Sequence, residues 1–424
     1  MNTKIFYIEE KIIYFFLLLF PFAYIFSIFL TDLIVSLTAL IFLFYCIKYQ
    51  VKKYLINKLS FLIYFFLLYL ILRSLFSTNP ILSLESSLFF SRHWFFACAI
   101  WFILDKKNNF LKYFFIIFIS LLCLLLIDSS IQLITNKNIL GYPYNGERIS
   151  SFYKDEFILG GVVSRLILLL LSILFIIYSN NLKLTILFSL IIFVFSFTII
   201  LLSGDRIAIV YFIYALILFM VFSEFQLKYK FYLIIFFIIL AFGIMIFSEE
   251  VFQRLIIISF NQLFVEKIYP EKELTITYFV FYSEFFNDIF YTSMNIFREN
   301  YLFGIGTKLF RDMCSQEIYL IGIGCSSHPH NFILQYLVEL GLVGTFPIII
   351  LIYLLIIRIF NQLKKHYMGE SELNRSEFFL GMLILVNLIP LWPTGSFFNN
   401  FGSIQHFLPI SFYLFLRYEK KENI

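Results

Sequence analysis

The chain predicts an all-α polytopic membrane protein of about 12 transmembrane helices, and three observations carry that expectation. Of its 424 residues 61% are hydrophobic and only 14% are charged, against about 25% charged in an ordinary soluble domain. A soluble globule cannot hide so much apolar surface, because single cores stop growing near about 250–300 residues. Apolar stretches long enough to cross a bilayer recur along most of the chain. Disorder is excluded for the opposite reason, since too little of the chain is polar enough to prefer water. The 60 Phe residues, with abundant Ile, Lys and Asn, resemble the coding bias of an AT-rich genome and say little about function.

Windows of about 20 apolar residues place twelve spans at 12–30, 33–47, 60–76, 88–104, 110–128, 158–178, 184–202, 207–223, 231–247, 334–357, 377–394 and 403–417. Each must be a helix, because lipid offers no partner to an open backbone hydrogen bond. No small-residue cleavage site follows the first window, so it is expected to be retained as a span. Lys and Arg in the short loops set the orientation. Basic residues at 4–11, 48–58, 106–112, 183, 228–230, 358–365, 375 and 417–421 share one side. That side is expected to be cytoplasmic, with both termini inside. The opposite side holds 129–157, the turn at 203–206 and a stretch at 248–333. Loops of that last length inside a compact protein are functional or disordered. This one is too aromatic for disorder, and interfacial helices are expected at about 251–268 and 276–299. The chain thus divides into helices 1–9 over 1–247, a large outer loop over 248–333, and helices 10–12 with the C-terminus over 334–424.

The two basic residue types are sorted unequally. By this topology the inner side has sixteen Lys and three Arg, while the outer side has five Lys and eight Arg: Arg73, Arg92, Arg148, Arg165, Arg206, Arg254, Arg298 and Arg311. Arg presents a planar, permanently charged fork that suits phosphate oxygens, whereas Lys is a point charge. Any one of these Arg residues can equally be snorkelling to the interface. As a set they point to an anionic, phosphorylated ligand on the outer face. Of the five cysteines, Cys46, Cys98 and Cys123 lie in spans, where a thiol is a small apolar filler. Cys314 and Cys325 bracket ten residues of the large loop. In an oxidising compartment a disulfide is expected there, holding the histidines that follow; two unpaired thiols are the alternative.

Three segments can carry chemistry. The first is Gly304-Ile305-Gly306, then Ser326-Ser327-His328-Pro329-His330-Asn331, then Gly341-Leu342-Val343-Gly344. Two of the five histidines sit two residues apart at the mouth of a span, held by a proline of fixed φ. An imidazole that titrates near neutrality is a natural general base for a hydroxyl, and Asn331 can orient it or bind a sugar hydroxyl. Metal binding competes, but two His with no carboxylate or thiolate cluster make a poor zinc site. The second segment is the charged run from Gly146-Glu147-Arg148 to Lys154-Asp155-Glu156, followed by Gly160-Gly161 and by Arg165 inside the next span. A charge there is costly and marks a functional candidate; a solvated loop with an interfacial Arg is the plainer reading. The third is Ser203-Gly204-Asp205-Arg206. Either Asp205 neutralises Arg206 and Ser203 caps the next helix, or the helix N-terminus and Arg206 together form an anion site.

These residues resemble the O-antigen ligase and O-antigen polymerase family, bacterial membrane glycosyltransferases that use undecaprenyl-diphosphate-linked glycans. The ligase signature is a His followed by Asn, Ser or Gln, nine residues, Gly, two residues, and Gly, Thr or Tyr. His330, Asn331, Gly341 and Gly344 meet it. Gly304 and Gly306 upstream, the Ser203-Gly204-x-Arg206 turn, and Arg148 with Phe152 and Gly160 are also similar to the family. The resemblance implies an inverting, metal-independent glycosyl transfer without cofactor, in lipopolysaccharide biosynthesis at the periplasmic face of the inner membrane. His330 would deprotonate the acceptor hydroxyl, while Arg148 and Arg206 would bind the diphosphate, with Arg165 and Arg298 as further diphosphate contacts. His328, Asn331 and Glu339 would support, and Gly304, Gly306, Gly341 and Gly344 would be structural. One departure is that the family's further Arg early in the large loop is matched equally by Arg254 and Arg298.

A lipid A–core acceptor defines a ligase, and a second lipid-linked glycan defines a polymerase of O-antigen or exopolysaccharide; a protein-glycosylating relative is a third outcome. Polymerases carry two Arg-to-Gly elements in separate loops. Arg148 to Gly160 fits one and no second is found, so the His-Asn match favours the ligase. From another class, a twelve-span transporter would show internal repeats and charges at the bilayer midplane. Here the halves are unlike and the charges cluster at helix ends. Nothing suggests a nucleic-acid partner.

Overall fold

A computed structural model describes residues 7–107, 109–146, 148–223, 225–269, 274–279, 283–390 and 392–419, with backbone alone for 263–269, 274–279 and 419. The fold is an all-α multi-pass membrane bundle. Its helices in chain order are α1 (Ile8–Phe26), α2 (Ile28–Lys48), α3 (Lys58–Leu75), α4 (Pro80–Lys106), α5 (Phe110–Thr135), α6 (Leu159–Tyr178), α7 (Leu182–Leu202), α8 (Arg206–Phe222) and α9 (Leu227–Phe247). Short elements follow: α10 (Glu249–Phe252), α11 (Ile258–Leu263), α12 (Glu284–Glu299), α13 (Phe310–Met313) and α14 (Phe332–Gln335). The chain closes with α15 (Gly341–Tyr367), α16 (Arg375–Leu388) and α17 (Asn400–Glu419).

Each of the twelve apolar windows overlaps a helix, although 12–30 runs past the break at Ser27 and 377–394 past the end of α16 at Leu388. Among the described residues eight helices are long and apolar enough to cross a membrane: α2 to α7, α9, and α14 running into α15. α1 opens on Glu9, Glu10 and Lys11, α8 and α16 are shorter, and α17 carries Gln405, His406 and Arg417. The large loop differs from the expectation of two long interfacial helices. The first stops at Leu263, and Phe264–Tyr269 and Leu274–Phe279 pair as an antiparallel hairpin, β1 and β2, with Phe264 opposite Phe279. Runs such as Leu274-Thr-Ile-Thr-Tyr-Phe alternate and are rich in β-branched and aromatic residues, which favours strand over helix.

α4 and α6 form the centre. α4 packs against α2, α3 and α17, and α6 against α7, α8 and α16. Trp94 and Trp101 of α4 are almost wholly buried. α9 contributes only Phe237 to the interior and otherwise faces outward. Away from the cavity described below, charged groups stitch helices together. Buried Glu10 accepts from the Tyr45 hydroxyl and from Lys106 Nζ, both at 2.6 Å, and Arg358 pairs with Glu377.

The four glycines of the His motif region build one joint. Between α14 and α15 the helix widens into a π segment, Tyr336–Leu340, a defect that leaves backbone groups to be satisfied elsewhere. The 301–306 loop satisfies them. Ile305 N donates to Val338 O at 3.0 Å and Gly306 N to Glu339 O at 2.9 Å, while Leu342 N and Val343 N donate to Tyr301 O and Leu302 O at 2.8 and 3.0 Å. Strands of chain this close leave no room for Cβ: a methyl at Gly341 would come within 2.4 Å of Gly304 N, and one at Gly344 within 2.1 Å of Tyr69 Cε1. Gly341 also sits at φ +64, where a side chain costs about 1–2 kcal/mol. Gly341→Ala is therefore expected to lower the thermal unfolding midpoint by several degrees in detergent. An unchanged midpoint would mean that the joint tolerates displacement.

Candidate active site

Five segments distant in sequence supply most of the lining of one cavity of about 550 Å³. Its walls include Arg148 and Glu156 from the α5–α6 connection, Gly161 and Arg165 from α6, and Asp205 from the turn before α8. Phe286 of α12, His328 and His330, and Thr394, Ser396 and Asn399 from the α16–α17 connection complete it.

The cationic wall depends on glycine at the start of α6. A methyl at Gly160 would meet Ser203 Oγ at 2.4 Å and Asp205 Cβ at 2.7 Å, so only glycine lets the 203–208 turn lie against α6. One turn further, Arg165 donates from Nη1 to Gly161 O at 2.9 Å and lies 4.6 Å over the Tyr211 ring. Arg148 donates from Nη2 to Phe157 O at 2.8 Å and sits 3.7 Å from Asp205 Oδ2. Asp205 itself caps α8, accepting from Ile207 N at 3.1 Å and Ala208 N at 3.4 Å, while the Ser203 hydroxyl donates back to Ile200 O. The helix cap is therefore Asp205 and not Ser203, and the ion pair of that carboxylate reaches Arg148. Arg206 lies beside the cavity wall, 3.3 Å from Ser259 Oγ, within electrostatic reach of Arg148 and Arg254.

The opposite wall is the histidine loop. His330 adopts φ +53, a left-handed conformation that His tolerates better than most residues. Its carbonyl accepts from Thr394 N at 2.7 Å, and its Nε2 lies 3.0 Å from Ser326 Oγ. His328 Nε2 is 3.3 Å from Thr394 O, and its Nδ1 is 2.9 Å from Ser327 Oγ. A carbonyl only accepts, so Nε2 of His328 carries the proton and Nδ1 accepts from the hydroxyl. The two imidazoles lie in contact with centroids 4.0 Å apart and planes tilted by 42°, and Phe285 and Phe286 approach His330 edge-on at 5.8 and 5.6 Å.

Burial lowers both histidines from their usual value, His328 to about 3 with the help of its histidine neighbour. Both rings are thus neutral at pH 7, the state in which an imidazole can take a proton. If His330 is the base, the acid limb of activity is expected below the usual imidazole value of about 6.5, because protonation removes the base and burial opposes protonation. A kcat/KM profile that already halves at or above pH 6.5 would contradict this.

The other residues singled out by sequence have structural positions. Asn331 caps α14, its Oδ1 accepting from Ile333 N at 2.9 Å and Leu334 N at 3.2 Å, and does not line the cavity. Glu339 is buried and accepts from Lys308 N at 3.0 Å and Gln335 Nε2 at 3.1 Å. Gln335 in turn reaches Ser396 Oγ at 3.0 Å, so Glu339 acts on the cavity only through its neighbours. Arg298 is exposed in the last turn of α12, outside the cavity lining. Arg73 is occupied by the carbonyls of Gly304 and Phe76, and Arg92 pairs with Asp32 at 2.6 Å. Cys314 and Cys325 are joined as a disulfide, Cα atoms 5.1 Å apart, one residue before the Ser326 that meets His330. Closing a loop of this length stabilises by about 3 kcal/mol. Among the described residues no group of three or more His, Cys, Asp or Glu is placed to hold a metal ion.

The 389–399 connection was not legible as part of the site. The window at 377–394 runs through it, yet α16 ends at Leu388. Pro390, Pro393 and Gly395 are the punctuation that signals the break.

Residues 191–349 match the family model described as O-antigen ligase. This segment is an O-antigen ligase family domain. A comparison with curated proteins finds no match. The O-antigen ligase domain starts in α7 and ends in α15, and it contains Arg206, His328, His330 and all four glycines of the joint. Arg148 and Arg165 precede it and Thr394 and Ser396 follow it, so chain outside the ligase domain completes the cavity. The match is to the O-antigen ligase family over this segment, which lies within a multi-pass membrane chain.

Proposed function

We propose that the protein is an O-antigen ligase-type enzyme that moves a glycan from an undecaprenyl-diphosphate carrier to a lipid A–core hydroxyl, with inversion and without metal. The observation that carries this reading is a single cavity with two neutral histidines on one wall and Arg148 and Arg165 on another. His330 takes the proton of the acceptor hydroxyl. The freed oxygen attacks the anomeric carbon from the side opposite the diphosphate, the carbon–oxygen bond to phosphate breaks, and the diphosphate leaves with the bonding pair. Charge grows on that leaving group as the bond lengthens, which is where fixed donors lower the barrier. Arg148 contacts it directly, Arg165 lies along α6, and Arg206 adds field from beside the wall. His328, tied to Thr394, fixes the orientation of the His330 ring in contact with it.

The same reading puts the cavity at the periplasmic face of a bacterial inner membrane, with both termini in the cytoplasm. Two features support it: lysines gather on the side assigned to the cytoplasm, and the disulfide lies in the histidine-bearing loop. Cys314→Ser with Cys325→Ser is expected to lower thermal stability and to reduce transfer severalfold by loosening Ser326. Wild-type turnover in the double variant would show that the bridge does not position the histidines.

The test is transfer by the purified protein from a lipid-diphosphate oligosaccharide, with and without lipid A–core and with no metal added. Product on the core supports the ligase. Longer lipid-linked glycan formed in either case makes the enzyme a polymerase. No transfer with a matched donor overturns the proposal.

A further inference from the structure

We infer that Asp128 and Gln132, on the last turns of α5, are positioning residues that hold Arg148 in the cavity, a role resting on the proposed binding of a diphosphate there. Both side chains are completely buried, as is Ser151. The Asp128 carboxylate accepts from the Ser151 hydroxyl at 2.5 Å, Ile139 N at 2.9 Å and Asn138 Nδ2 at 3.4 Å. Gln132, one turn on, accepts Ser151 N at 2.8 Å and donates to Pro143 O at 3.2 Å. Asn138 closes the frame, donating to Ser151 O at 3.0 Å and accepting from Tyr142 N at 2.7 Å.

Every polar group of Ser151 is therefore held, and Ser151 stands at φ +52, a left-handed conformation unusual for serine. A residue persists there only where its surroundings over-determine it. Arg148 lies three residues earlier in the same loop, its N–H donating to Asn145 Oδ1 at 2.9 Å. A buried carboxylate with three donors is a rigid anchor, and it fixes both ends of the segment that carries the guanidinium. Neither Asp128 nor Gln132 lines the cavity, so their effect on a ligand passes through Arg148.

The experiment compares wild type, Asp128→Asn, Ser151→Ala, Arg148→Ala and the Asp128→Asn/Arg148→Ala double variant in detergent. The probe is farnesyl diphosphate, with farnesol as the control lacking phosphate, and hydrogen exchange is followed over 138–151. Asp128→Asn is expected to weaken farnesyl diphosphate about tenfold, leave farnesol unchanged and speed exchange across the loop. In the double variant the loss should equal that of Arg148→Ala alone, because neighbours acting as a unit are non-additive. Should Asp128→Asn not fold, Ser151→Ala, which removes one hydroxyl, carries the test with an expected loss of about threefold. Unchanged affinity or exchange in the folded variants, or losses that multiply in the double variant, overturns the inference. Wild-type protein that does not distinguish farnesyl diphosphate from farnesol overturns the diphosphate reading itself, and the positioning role with it.

Discussion

Replacing His330 by Ala is expected to reduce glycan transfer by about 10²–10⁴-fold, the range a positioned general base contributes. The substitution also changes the backbone, because His330 holds φ +53 and Ala is less tolerant there by about 1–2 kcal/mol. His330→Asn separates the two effects, since Asn accepts the left-handed conformation but supplies no base at neutral pH. Both variants should be nearly inactive, with Asn close to wild type in thermal stability. Ring contact at 4.0 Å and the bond to Thr394 O make His328 a support, so His328→Ala should lose only about tenfold. Steady-state rates on one donor and one acceptor check all three, and a fully active His330→Asn would remove the base from this ring.

The second large effect concerns the leaving group. Arg148→Lys keeps the charge and loses the planar fork, and it is expected to lower kcat/KM for the lipid-diphosphate donor by about 10–100-fold, within the scale of losing one fixed transition-state donor. Arg206→Lys should act in the same direction but less, because Arg148 lines the cavity while Arg206 is outside its lining, against Ser259. Raising the salt concentration should weaken donor binding in wild type and do so less in Arg148→Ala. Equal donor kinetics in the two Lys variants and wild type would remove the diphosphate role from this wall.

Much of this was legible in the chain for physical reasons that differ by element. Spans announce themselves locally, since a helix crossing lipid must be apolar over its own length; every window overlaps a helix, and among the described residues eight helices are long and apolar enough to cross. The histidine pair and Arg148 were visible as charged or titratable groups beside apolar runs. The partnership of Asp205 with Arg148 was not, because those residues are brought together by the close approach of α6 to the following turn, which depends on the missing side chain of Gly160. Arg298 matched the family's further Arg as well as Arg254 did, yet it is exposed in the last turn of α12, outside the cavity lining. Asp128 read as the polar end of a span, and only the loop folded over it gives that carboxylate a task.

The cavity's dependence on the α16–α17 connection bears on how the protein matures. Thr394 receives the His328 ring and donates to the His330 carbonyl, and it follows the matched family segment, which ends at 349. Until α16 and α17 have inserted, the ribosome has already released an arginine wall and a histidine loop with nothing to set them against each other. A nascent chain halted between residues 349 and 394 would carry the whole matched family segment and still lack the Thr394 contacts to both histidines. The cavity would then be completed only when the α16–α17 connection joins the histidine loop, so every shorter chain would hold its two walls unassembled.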